Sequence, residues 1–182
     1  YQYGLGVAKD FLRAKIYYEL SVKEGDSFAP YALGILFQYG VDKNYMKAKK
    51  YYEMAVKKGN YLAYKALGDM YFNGEGVEKD YIQAKKLYEM AAGINNFDAL
   101  FKLGDIYFNG YGVERDYHKA MKYFELSAEQ NNPDALFFLG NFYSSNEFCD
   151  RKISKSIENY LKCIQIENRY FIIHYSKEKK KT

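Results

Sequence analysis

The sequence predicts an all-α solenoid of antiparallel helix pairs, and three observations carry that prediction. The stretch 71–84, YFNGEGVEKDYIQA, returns at 107–120 as YFNGYGVERDYHKA, 36 residues later. Ala63, Ala99 and Ala135 keep the same 36-residue interval, and Ala29 precedes Ala63 by 34; a period of that size is the mark of a stacked repeat. Aromatic residues make up 19% of the chain, 22 Tyr and 13 Phe, with only two Pro, a composition suited to helices packed through rings. A chain of 182 residues is one domain's worth and can bury roughly 70% of the surface that its unfolded form exposes.

The first helix of each unit follows from Ala63, Leu67, Gly68 and Tyr71, repeated as Ala99, Leu103, Gly104, Tyr107 and as Ala135, Leu139, Gly140, Tyr143. At about 100° per residue these fall on one stripe. Gly34, Gly68, Gly104 and Gly140 lie inside this helix, where glycine costs roughly 1 kcal/mol relative to alanine. A close approach of the partner helix is the expected compensation.

The turn comes next. Gly74 and Gly110 stand where a left-handed cap ends the first helix, Gly76 and Gly112 complete the turn, and Val77 and Val113 plug it. Asp80 and Asp116 then cap the second helix, with Asp10 and Asn44 in the same place. A glycine-rich turn that opens a helix can also cradle phosphate. Recurrence in unit after unit, with an acidic cap that would repel the anion, favours the structural role.

The second helix follows from Ala84, Tyr88, Ala91 and from Ala120, Phe124, Ser127. Its alanine column, Ala14, Ala48, Ala84, Ala120 and Ser156, always lies 15 residues before the first-helix position of the next unit. The 34-residue unit therefore sheds its two residues between its own helices, at Gly40 and Val41, because turns absorb length changes. The expected units are 1–28 (partial), 29–62, 63–98, 99–134 and a degenerate terminal unit 135–170, with a basic tail 171–182. In the terminal unit SSNEFCDRK replaces the glycine turn, Lys152 stands in the capping position and Ser156 replaces alanine. Such a unit closes a stack.

Laid out in these columns, residues 1 to about 145 resemble the Sel-one-like repeat family, the longer-looped cousin of the tetratricopeptide repeat. Ala63, Leu67, Gly68, Tyr71, Gly74, Gly76, Val77, Asp80, Ala84, Tyr88, Ala91 and their counterparts carry the resemblance. It implies a right-handed α/α superhelix, tetratricopeptide-like, that acts as a non-enzymatic adaptor for other proteins, without cofactor or small-molecule substrate.

In solenoids of this type the side of the first helix opposite the packing stripe lines a concave groove. Here that side holds Tyr31 and Ile35, then Lys65, Asp69, Phe72 and Asn73, then Phe101, Asp105, Phe108 and Asn109, then Phe137 and Asn141. With Asp98 and Asp134, which also suit the N-termini of their own helices, it carries one lysine against four aspartates, among aromatics that either face the groove or pack. The expected partner is a peptide or protein segment, basic and with apolar anchors. The outer side of the second helix is lysine-rich, yet Lys50 with Glu53, Lys86 with Glu89 and Lys122 with Glu125 are spaced as i,i+3 pairs of an ordinary solvated face.

Two other classes fit less well. Some cysteine-rich bacterial members of the family have been linked to penicillin binding, but this chain has only Cys149 and Cys163, and its one Ser-x-x-Lys, Ser176 with Lys179, lies in the lysine-rich tail. His118 and His174, the only histidines, have no partner at metal or triad spacing. A nucleic-acid binder is disfavoured by Asp69 and Asp105 on the groove side. The formal charge of +4 comes almost wholly from the tail, four lysines against one glutamate over 177–181, so the body is near neutral. No apolar run approaches the ~18 residues of a membrane span.

Overall fold

The computed structural model describes residues 11–40, 43–94, 96–144, 158–159 and 161–166. Eight helices run in order: α1 (Phe11–Lys23), α2 (Ala29–Tyr39), α3 (Tyr45–Lys57), α4 (Leu62–Asn73), α5 (Tyr81–Ala92), α6 (Phe97–Asn109), α7 (Tyr117–Glu129) and α8 (Pro133–Ser144). Residues 158–159 and 161–166 are also helical, and the described residues include no strand. The fold is thus the all-α repeat of helix pairs that the sequence predicts. The chain divides into two compact units, residues 1–95 and 96–182.

Within the first unit each helix packs on the next in sequence, from α1 through α5. Most positions of the stripes read from the sequence are buried, Ala48, Tyr52, Ala55, Ala63 and Leu67 among them, but Tyr71 is only half-buried, and Leu36, Met70 and Leu87, which those stripes leave out, join the same cluster with Leu33 and Phe37. Each large side chain so buried contributes about 1.5–3 kcal/mol. In the second unit Ala120, Phe124, Leu139 and Tyr143 form the equivalent cluster, with Phe101, Tyr107, Phe108, Phe138 and Phe142 packed around it.

The internal glycines meet a ring of the second helix. A Cβ at Gly68 would sit 2.6 Å from Cε1 of Tyr88, and one at Gly104 2.6 Å from Cε1 of Phe124. At Gly34 the obstructing ring is Tyr52. Each of these three hairpins is therefore closed by an aromatic ring pressed against a helix backbone, and only glycine leaves room for it.

The turns also follow the expected chemistry. Gly74 and Gly110 end α4 and α6 at φ 76° and 74°, the left-handed region that favours glycine. Asp80 Oδ1 accepts from Gln83 N, Asp116 Oδ1 from Lys119 N and Asn44 Oδ1 from Lys47 N, each at 2.9 Å. A backbone bond closes each of these three turns: Asp80 N donates to Tyr71 O at 3.0 Å, Asp116 N to Tyr107 O at 3.0 Å, and Asn44 N to Phe37 O at 2.7 Å. The shorter turn keeps that bond despite its missing residues.

A further capping column, not anticipated from the sequence, starts the first helices. Asp26 Oδ1 accepts from Phe28 N (2.6 Å), Asn60 Oδ1 from Leu62 N (3.1 Å), Asn96 Oδ1 from Ala99 N (2.9 Å) and Asn132 Oδ1 from Ala135 N (3.0 Å). Asn132 is fully buried, and its Nδ2 also donates to Asp98 Oδ1 at 3.1 Å. The expectation that Asp98 serves its own helix start is only part of its role, since it also ties α6 to the cap of α8.

The terminal unit keeps one signature contact. Cys163 Sγ lies 3.6 Å from Pro133 O, as Ser127 Oγ lies 2.7 Å from Phe97 O. Cys163 thus stands in the column of Ala55, Ala91 and Ser127 and is buried as they are. Asp10, Val41, Cys149, Lys152, Ser156, His174, Ser176, Lys179 and the tail lie outside the described residues.

Candidate functional site

In the first unit the predicted groove residues come from α2 and α4. Lys65 Nζ pairs with Asp69 Oδ2 at 2.8 Å, and Asp69 Oδ1 accepts from Tyr88 Oη at 2.8 Å. Phe72 is half-buried, edge-on to Tyr81 at 5.2 Å and tilted against Tyr88 at 6.4 Å. Asn73 is exposed, and its Nδ2 donates to Glu75 Oε1 at 3.3 Å. Tyr31 tilts against Tyr52 at 5.8 Å, and Ile35 packs on the core.

Sequence reasoning overlooked Glu75, which anchors this face. Its Oε2 accepts from Gln38 Nε2 at 2.7 Å, and Gln38 Oε1 accepts from Tyr52 Oη at 2.7 Å. A buried phenol is thereby wired to a half-buried carboxylate through a glutamine that is itself buried. Burial pushes the Tyr52 phenol far above its ordinary value. Partial burial, and then the nearby Asp69 and Glu75 carboxylates, also raise that of Tyr39, although this side chain is 62% exposed. The signal for Glu75 was a change of side-chain class inside an otherwise repeated turn, GEG at 74–76 against GYG at 110–112.

In the second unit α6 and α8 supply the residues. Phe101 lies 5.3 Å from Phe124. Phe108 is edge-on to Tyr117 at 5.3 Å and to Phe138 at 5.2 Å. Phe137 is 56% exposed and Asn141 is exposed. Phe72 and Phe108 therefore share a role: both are half-buried and close a hairpin from above, presenting part of a ring to solvent.

Asp105 is half-buried. Asn109 Nδ2 donates to its Oδ1 at 2.6 Å and to its backbone oxygen at 3.1 Å. Burial raises its carboxyl above the ordinary range, with Lys102 and the Asn109 amide pulling partly back. A carboxyl whose folded pKa exceeds its unfolded one favours the native state most when protonated, and that contribution is lost as pH rises through the folded value. Asp105→Asn is accordingly expected to raise the melting temperature at pH 7 by a few degrees. In melts at pH 3, where the wild-type carboxyl is already protonated, the gain should vanish.

The outer side of the second helices forms ion pairs in a different register from the one expected. Lys49 pairs with Glu53 at 3.7 Å and Lys85 with Glu89 at 2.9 Å, both i,i+4. Glu125 instead accepts from Tyr143 Oη at 2.8 Å. An i,i+4 pair is offset by about 40° around the helix, against about 60° for i,i+3, so the earlier lysine of each pair reaches the glutamate. Among the described residues no group of His, Cys, Asp and Glu could hold a metal ion, and no helix is long and apolar enough to cross a membrane.

The Sel1 repeat model matches residues 1–26, 27–60, 62–95, 97–132 and 133–162, each later match opening within two residues of Asp26, Asn60, Asn96 or Asn132. No curated protein matches the chain. Among solved structures, a Sel1 repeat protein from Oxalobacter formigenes is similar with a TM-score of 0.81 at 27% identity, over 90% of this chain and 68% of its own. A protective antigen of uropathogenic Escherichia coli with an SLR fold gives a TM-score of 0.74 at 28% identity, over 88% of this chain but only 35% of the antigen. Cysteine-rich protein B of Helicobacter pylori gives 0.55 at 29% identity, over 70% of this chain and 92% of its own. With its glycine-ring closures, capped turns and five consecutive repeat matches, the chain belongs to the Sel1 repeat family.

Proposed function

We propose that this chain is a non-enzymatic scaffold that holds a peptide or protein segment against the side of its first helices opposite the packing stripe. Sel1 repeat proteins generally serve as protein-interaction scaffolds and are typically non-catalytic. The observation that carries the reading is the set of carboxylates on that side, Asp69, Glu75 and Asp105, which stand among partly exposed rings. The outer faces of α3 and α5 satisfy lysines with their own glutamates. The opposite side of the first helices offers exposed amides, Asn73 and Asn141, and the exposed ring of Phe137. Carboxylates at Asp69, Glu75 and Asp105 suit a basic segment, and the partly open rings suit its apolar anchors. The same carboxylates disfavour nucleic acid, whose backbone they would repel.

A photo-crosslinking amino acid at Asn73 or at Phe137 is expected to trap one protein partner in cells. The same probe at Lys50 or Lys122, on the outer side, should trap it far less. Crosslinks that form only from the outer positions, or that join RNA, would refute the proposed face.

A further inference from the structure

Asp69 and Asp105 occupy one column of the repeat, yet their surroundings differ. Around Asp69 the preceding turn supplies Lys65, and the hairpin's core ring supplies a hydroxyl, Tyr88 Oη; both lie at 2.8 Å. At Asp105 the same two places are held by Phe101 and Phe124. The cation and the phenol of the first site have both become phenyl rings. What Asp105 has instead is the amide of Asn109 at 2.6 Å, and among the described residues no ion pair reaches it. Lys102, one turn back on the same helix, acts on it electrostatically.

The rings are arranged around this carboxylate. Phe101 precedes it by four residues and Phe108 follows by three, so both share its side of α6, and both rest on Phe124, at 5.3 and 6.3 Å between ring centroids. A half-buried carboxylate on the same side of the helix as two partly exposed rings, without the cation that its sister site holds internally, is complementary to a planar cation that can hydrogen-bond the carboxylate and stack on the rings. We propose that Asp105, Phe101 and Phe108 form a receptor for the guanidinium of an arginine carried by the bound segment. This rests on the reading of the face given above and names the residue that the segment must present there.

The test uses the whole chain and small probes, acetyl-arginine methylamide with its citrulline and lysine counterparts, followed by NMR on the amides of residues 101–109. The arginine probe is expected to shift these amides saturably and to lower the titration midpoint of the Asp105 carboxyl. Citrulline, of the same shape but neutral, should bind roughly tenfold more weakly or less. Asp105→Asn should abolish the response. Phe101→Lys should also abolish it, because the variant regains the internal cation found at the first site; an unchanged melting profile and helical circular dichroism confirm that it folds. Equal shifts from arginine and citrulline, equal shifts from arginine and lysine, or a response that survives Asp105→Asn would overturn the assignment. Because the probes need no protein partner, the outcome is independent of the crosslinking result.

Discussion

Gly104→Leu is expected to destabilise the protein by roughly 3 kcal/mol and to lower its melting temperature by roughly 6–12 °C. The added Cβ alone would lie 2.6 Å from Cε1 of Phe124 and 2.7 Å from its Cδ1, closer than real carbons approach. The remaining leucine atoms would have to enter a ring that is 1% exposed and packed on Phe101 and Phe138. Lys102→Leu, two residues earlier on the same helix, should change stability by less than about 0.5 kcal/mol. A second comparison isolates the cause. In a Phe124→Leu background, Gly104→Ala should turn from destabilising to neutral or stabilising, because alanine gains up to about 1 kcal/mol of helix propensity once the ring has withdrawn. Similar losses from Gly104→Leu and Lys102→Leu in thermal denaturation would remove the ring contact as the reason for the glycine column.

Asn132→Ala is expected to cost about 2 kcal/mol, the sum of a lost helix cap at roughly 1 kcal/mol and a lost buried hydrogen bond of similar size. Asn132 Oδ1 accepts from Ala135 N at 3.0 Å and its Nδ2 donates to Asp98 at 3.1 Å, so alanine leaves one donor and one acceptor without their partner. Asn96→Ala removes a cap on a side chain that is only half-buried and should cost about half as much. Chemical denaturation with both variants measures the ratio. Equal losses would mean that the bridge to Asp98 contributes nothing beyond the cap.

These two sites also mark how far the sequence could be read. The glycine column was visible because a backbone-to-ring contact tolerates no side chain, so the same residue recurs at Gly34, Gly68 and Gly104 with its ring at Tyr52, Tyr88 and Phe124. The turns were visible for the same reason, since left-handed backbone and an acceptor at the cap restrict the choice of residue. Asn132 and its counterparts Asp26, Asn60 and Asn96 were hidden because Asp26 breaks the asparagine column and Asn96 and Asn132 each follow another asparagine, while Asp98 and Asp134 offered a competing explanation of the helix starts. For Phe72 and Phe108 the helical position was clear, but a ring at the edge of a stripe can turn inward or outward, and only contacts with Tyr81 and Tyr117 decide. The chemistry of Asp69 and Asp105 was beyond periodicity altogether. Their columns match, and what separates them lies one turn back, at Lys65 and Phe101, and across the hairpin, at Tyr88 and Phe124.

The burial of Cys163 against Pro133 gives the end of the repeat array a built-in chemical clock. A thiol shielded by a helix contact reacts with a disulfide reagent only when that contact opens. With Cys149 replaced by serine, the rate of labelling at Cys163 follows the detachment of the last hairpin alone, a motion that a global melting curve averages away.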